Sequence, residues 1–507
     1  MPEMAFMLLF VVALTAFSNW RYGFALCVLT ALAQDPLRKL TPNQPVYFVV
    51  FVGAVFGAAW LGALMASVPM LPKRIAGWSK QVGTPFTLFV LLAISQAVHS
   101  LVAYRSPMLT GIGMLSYFSP IPAIVLAYQF ALRRGIRGVT RWMKFYVVMA
   151  SLALVSVYLE YSGVDWSILG EVGIGVLISG AGAYYKGNAG IFRGAEIAAW
   201  HAATAACFSF MLLWGRRFTL AKVLLAVGLV AFFLGLGVLT GRRKMIIEIA
   251  IFLSAYVALV VWFRHRSGKM AIFLAIFGFV TYLGTVGMIA PGPGEHDLGR
   301  IRVHRTADSS FGKYSHRAGT VFSDIPDRIN QIGFQPVGWA VDQFGWMGAG
   351  LGMGSQGTAH FGVDTSGAAE GGLGKLTVEL GLPGVALVGW LLVKFALYVW
   401  GLLAPLSSTS PKHANMAFGL VAFLLANAAA FSIATQAYAD IFILLSMGWA
   451  LGFLLALPVL ANNARARMLE RASLEAEDED DASPEEGHPS LPWQPETTSR
   501  LGTASAR

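Results

Sequence analysis

Thirteen apolar runs, most of them about 20 residues long, are separated by short charged or Gly/Pro-rich joints along this 507-residue chain. A helix rises 1.5 Å per residue, so about 20 such residues match the roughly 30 Å hydrocarbon core of a bilayer. The pattern therefore predicts an all-α, polytopic integral membrane protein. Composition agrees, with 56% apolar residues, 13% charged residues and a mean hydropathy of +0.62, whereas soluble domains are about 25% charged. Soluble enzymes, disulfide scaffolds and nucleic-acid-binding modules are excluded on these grounds. The only cysteines, Cys27 and Cys207, lie within apolar runs and read as packing residues, and no metal-ligand spacing occurs.

The runs cover residues 4–18, 22–34, 46–67, 85–103, 109–132, 143–161, 196–214, 219–240, 245–263, 270–290, 374–402, 414–434 and 439–460. The first lacks a cleavable small-residue pattern and carries Glu3 near its start, so it reads as a membrane segment and not as a signal peptide. Only Ser18-Asn19-Trp20-Arg21 separates the first two runs, which are two crossings or one kinked crossing; the expected count is 12 or 13 helices. From residue 73 onward, alternate short joints hold eighteen Lys or Arg and the opposite joints six. The richer side is expected to be cytoplasmic. Residues 291–373 then form one large periplasmic loop within a membrane domain 1–460. Residues 461–507 carry a net charge of −5 against +15 for the rest and are expected to be an acidic, disordered cytoplasmic tail. The basic surplus elsewhere suits an anionic inner-membrane leaflet, and a phosphate-bearing substrate equally well.

Several polar residues stand out against this background. Gly241-Arg242-Arg243-Lys244 places three cations on the side that disfavours them. They are snorkelling helix-end charges, or an outer anion site in which guanidinium groups grip phosphate oxygens. Arg193, Glu196 and His201 fall near the outer start of the next polar-flanked helix, as a salt-bridged helix end or as a cavity lining. The large loop contributes His316, Arg317 and Arg328, then Trp339 and the glycine run 348–354. It closes on Glu370, Gly374, Lys375, Glu379, Gly381, Pro383 and Gly384. Glu379 falls about two turns into a membrane helix, where an ionisable group is functional or paired. Lys375, one turn earlier, is a ready partner; Glu370 has no such neighbour in sequence.

These pieces, in this order, resemble the O-antigen polymerase and O-antigen ligase superfamily over roughly residues 85–460. Thr240-Gly241-Arg242-Arg243 resembles its arginine motif at an outer helix start. Arg328, Trp339 and the glycine run resemble its second arginine and glycine-rich turn, and 370–384 resembles the segment closing the periplasmic loop. The family's ligases typically carry a histidine where this chain has Glu370-Gly371, which favours a polymerase or a divergent ligase over a strict ligase. The resemblance implies metal- and cofactor-independent glycosyl transfer at the periplasmic face of a bacterial inner membrane. Its donor would be an undecaprenyl-diphosphate-linked glycan embedded among membrane lipids, and its partners the flippase and chain-length regulator of the same pathway. Arg242 or Arg243, with Arg328 and Arg193, would hold the diphosphate, and Glu370 would receive the acceptor proton. His316, Arg317, Glu196, His201, Lys375 and Glu379 would line the cavity. A transporter of an anionic lipid-linked glycan and a non-catalytic scaffold are the competing classes.

Overall fold

The computed structural model describes residues 2–69, 78–172, 177–180, 183–213, 219–242, 244–270, 272–273, 276, 335–355 and 371–481. Its helices are α1 (Pro2–Ser18), α2 (Gly23–Leu40), α3 (Phe51–Met65), α4 (Trp78–Gln81), α5 (Gly83–Tyr104), α6 (Pro107–Phe118) and α7 (Pro120–Tyr161). A two-stranded antiparallel hairpin follows, β1 (Leu177–Gly180) with β2 (Ala183–Lys186), an addition to the all-α expectation. The chain continues through α8 (Ala195–Leu213), α9 (Leu220–Leu239), α10 (Lys244–His265), α11 (Gln335–Phe344), α12 (Gly372–Thr409), α13 (Pro411–Ile433) and α14 (Ile441–Asp481).

Among the described residues, nine helical stretches are long and apolar enough to cross a membrane. One of them, Pro107–Tyr161, holds two of the expected runs. Its joint at 133–144 is not a loop: the helix breaks only at Gly135 and resumes at once. The run 270–290 lies mostly outside the described residues. Apolar side chains that face outward, such as Leu224, Val227, Leu392, Val393 and Leu397, suit a lipid surround. At the centre, α8 presents Ala198, Ala199, Ala202, Ala203, Ala205 and Ala206 with almost no exposure. Such small residues let neighbouring helices approach closely. Cys27 and Cys207 are buried and free.

The first two runs form a helical hairpin, not one kinked helix. Phe6 stacks on Tyr47 and Phe17 backs onto Gly62, so α1 runs parallel to α3. Gly23 meets Ala59 while Leu37 packs with Phe48 and Phe51, so α2 runs the opposite way.

Helix ends gather on two faces. Trp20 lies under the Arg133 guanidinium at 5.7 Å, and Gln129 donates to the Pro69 carbonyl. The ends of α2, α7 and α9 and the starts of α8 and α14 meet at the other face, around Arg193. Helix α14 belongs in its first part to a compact unit ending at Ala461; the unit from Asn462 onward remains helical to Asp481. That part was expected to be disordered, but Ala, Leu, Met, Arg and Glu dominate it and all are strong helix formers.

Candidate functional site

The Arg193 face is a layer of charges contributed by residues remote in sequence. Arg193 Nη1 lies 2.8 Å from Asp440 Oδ2 and 3.7 Å from Asp35 Oδ1. The Arg193 backbone N–H also donates to Asp35 Oδ2 at 2.9 Å. Asp440 accepts from Phe442 and Ile443 through its other oxygen, capping α14. Lys39, at the end of α2, donates to the carbonyls of Ile168, Gly190 and Phe192. Glu160 accepts from the N–H groups of Ala189 and Gly190. The segment 188–194 is thereby held from below by carboxylates and threaded by one ammonium.

Arg242 sits beside this layer. Gly241 takes a left-handed φ of 69°, which only glycine adopts freely, so α9 reverses sharply into α10. The turn carries the Arg242 Nη2 to 2.8 Å from Glu196 and 3.7 Å from Glu171. Glu171 also accepts from the Ala195 N–H at the start of α8. The Arg242 Nε–H is buried with no acceptor among the described residues. Arg193 and Arg242, both expected to hold a diphosphate, therefore each have carboxylate partners, and Glu196 is a partner of Arg242 first.

Inward of these charges runs a buried polar network that sequence reasoning passed over. Asn427 accepts from Trp200 Nε1 and Tyr438 Oη, and donates to Glu248 Oε1. Glu248 is 2% exposed. His201, expected to line a cavity, is instead packed between the rings of Phe192 and Phe442, with Nδ1 2.9 Å from the Tyr146 hydroxyl.

A second group forms where α12 breaks. Gly381 takes φ 70°, and a Cβ there would strike the Trp346 and Met347 backbone. Residues 372–380 are thus a short buried helix, and Glu379 lies in its last turn, not partway along a continuous membrane helix. The glycine run folds over this break: Ala349 N–H donates to Val378 O, Leu382 N–H to Trp346 O and Gln96 to Met347 O. Glu379 is wholly buried; Tyr117 donates to its Oε2 at 2.6 Å and the Gly354 N–H to its Oε1 at 3.1 Å. Lys375 is not its partner. The two groups connect through Phe431, which packs on Gly372 and meets Tyr438 edge-on at 5.4 Å.

Beyond the membrane-spanning helices, burial lowers the Lys39 ammonium to about 8, opposed by Asp35, Glu160 and Glu171. Burial raises Asp35 against the pull of Arg193. For Arg193, burial lowers its affinity for the proton, but Asp440 and Asp35 outweigh it and hold the guanidinium charged. Among the described residues, no three His, Cys, Asp or Glu side chains converge as a metal group. Arg243, His316, Arg317, Arg328 and Glu370 lie outside the described residues. No protein-family model matches the chain, and no curated protein matches it significantly.

Proposed function

We propose that the chain is a membrane glycosyltransferase that polymerises undecaprenyl-diphosphate-linked repeat units, with its Arg193 face toward the periplasm of a bacterial inner membrane. Arg242 carries this reading. It is a permanently charged fork at a helix start, steadied by Glu196 on one edge, with a buried Nε–H that has no acceptor among the described residues. Such a donor suits a phosphate oxygen. Carboxylate-paired Arg193 is then a positioning group, since Asp35 and Asp440 neutralise it and fix the segment leading into α8.

In the reaction, an acceptor hydroxyl oxygen attacks the anomeric carbon and the bond to the lipid diphosphate breaks. The electron pair leaves on the diphosphate, where Arg242, with Arg243 and Arg328, stabilises it. Glu370 receives the hydroxyl proton, and direct displacement inverts the anomeric centre. Transfer to a lipid or protein acceptor would be the ligase version of the same step. Export of a lipid-linked anionic glycan is a second reading, favoured by the buried carboxylate Glu248 inside a spanning helix.

The surface-glycan ladder of a strain lacking this chain separates these readings. A polymerase leaves single repeat units on the lipid acceptor, a ligase leaves polymer on undecaprenyl diphosphate, and an exporter leaves glycan inside. Intact ladders in the deletion strain would remove all three.

A further inference from the structure

We propose that Arg21 and Arg133, both set over the Trp20 indole, hold the phosphate of an anionic phospholipid in the leaflet opposite the Arg193 face. The two faces stand at opposite ends of the same helices. Trp20 and Arg21 precede α2, whose other end carries Asp35 and Lys39 to the Arg193 segment. Arg133 lies just before the break at Gly135 in α7, whose far end brings Glu160 to Ala189 and Gly190. Residues 136–161 run between them, roughly 39 Å of helix, enough to put the two faces in different leaflets.

Trp20 is a fixed platform. It is 4% exposed and meets Phe130 edge-on at 6.5 Å, and Phe130 packs in turn on Phe24. Over its ring lie the guanidinium carbons of Arg21 at 5.9 Å and Arg133 at 5.7 Å. Attraction to the indole face explains why each cation settles there, but it gathers two like charges at one ring. Neither side chain makes an ion pair or hydrogen bond with a described residue. The Arg21 Nε–H is moreover buried with no acceptor among them. A buried charged donor left so is costly, whereas phosphate oxygens can meet two guanidinium forks at once. No counter-charge is at hand locally either, because the chain holds no Asp or Glu between Asp35 and Glu160.

The surroundings select a lipid over a soluble anion. Leu14 and Phe17, near the end of α1, and Tyr22, beside Arg21, are all exposed, so the site borders the apolar surface that a bilayer covers. Trp and Tyr at helix ends sit at headgroup depth. Arg134, Arg137 and Arg141 are exposed along the same helix as Arg133 and add attraction to a negative leaflet. General attraction of that kind needs neither a shared indole nor a buried Nε–H, and those two features make this a site. It would serve a polymerase, a ligase or an exporter alike, since it lies at the far ends of the helices that carry the Arg193 layer.

The test uses the full chain, stripped of lipid in detergent and titrated with phosphatidylglycerol or phosphatidylcholine, with bound lipids counted by native mass spectrometry. Wild type should retain phosphatidylglycerol in preference. Arg21→Gln and Arg133→Gln should each cut that retention about fivefold, as for one cation lost beside a headgroup, and Arg133→Lys should keep more than Arg133→Gln. Arg133 is exposed, so its variants report even if Arg21→Gln folds poorly. Arg264→Gln removes a cation from another joint of the same basic side and should leave retention unchanged. An equal loss in Arg264→Gln would reduce the site to general surface charge and overturn it. Equal retention of both lipids by wild type would overturn it too, as would binding of inorganic phosphate or polyglutamate without any preference for phosphatidylglycerol.

Discussion

Arg193 and Asp440 meet at 2.8 Å although one precedes α8 and the other begins α14. Asp440 Oδ1 caps α14 while Oδ2 holds the guanidinium, so one carboxylate fixes both a helix start and the segment entering α8. Asp440→Asn keeps a capping oxygen but leaves Arg193 with Asp35 at 3.7 Å. Breaking one side of a buried pair costs about 3–5 kcal/mol, so purified protein should melt at a clearly lower temperature. Adding Arg193→Met should recover part of that loss. A double variant no more stable than Asp440→Asn would show that the pair is not the cause.

Arg242 makes a functional prediction. Arg242→Lys keeps the charge but loses the Nε donor and the planar fork. Glycan transfer should fall roughly 10- to 150-fold, as for a lost charge-assisted contact, at normal protein abundance. Normal glycan length and amount in this variant would take Arg242 out of the diphosphate clamp.

Glu379 is predicted to be structural. Glu379→Gln leaves one carbonyl oxygen for the two donors Tyr117 and Gly354 N–H, and Tyr117→Phe removes one of those donors, so both act on the same hydrogen-bonded group joining α12 to α6. Their destabilisations in a thermal melt should therefore be non-additive, the double variant costing less than the two singles together. Strict additivity would contradict the pairing, and a stability loss in Lys375→Met equal to that of Glu379→Gln would restore Lys375 as the partner.

Lys39 yields a pH prediction. Burial depresses its folded value to about 8 from an ordinary 10.5, so between these values the unfolded chain holds the proton and the folded chain does not. Its contribution to stability is then fully present above about 10.5 and is lost as pH falls toward 8. Over that window the melting temperature of wild type should rise relative to Lys39→Met. A constant difference between the two would refute the buried ammonium.

The spanning helices were legible because an apolar run of membrane length admits few other fates. The hairpin of α1 and α2 was not, since its direction depends on which residues of α3 each helix touches. The charge layer stayed hidden for a similar reason: Asp35, Glu160, Glu171 and Asp440 pair with residues far away in the chain. A signal was present nonetheless, as these carboxylates and Glu196 all lie at joints on the same side as Arg193 and Arg242. The acidic residues therefore divide by side of the membrane just as the basic ones do. Helical spacing alone points to Lys375 as the partner of Glu379. Gly354 and Tyr117 reach that carboxylate from other segments, which spacing cannot reveal.

The most direct measurement of the central claim is polymerisation by the purified full-length chain in nanodiscs supplied with undecaprenyl-diphosphate-linked repeat units. Wild type should give products at multiples of one repeat, releasing one undecaprenyl diphosphate per bond formed. Glu370→Gln should bind the donor and form none, because an amide cannot take the acceptor proton. Donor left unconsumed by wild type, in the presence of acceptor units, would contradict the account.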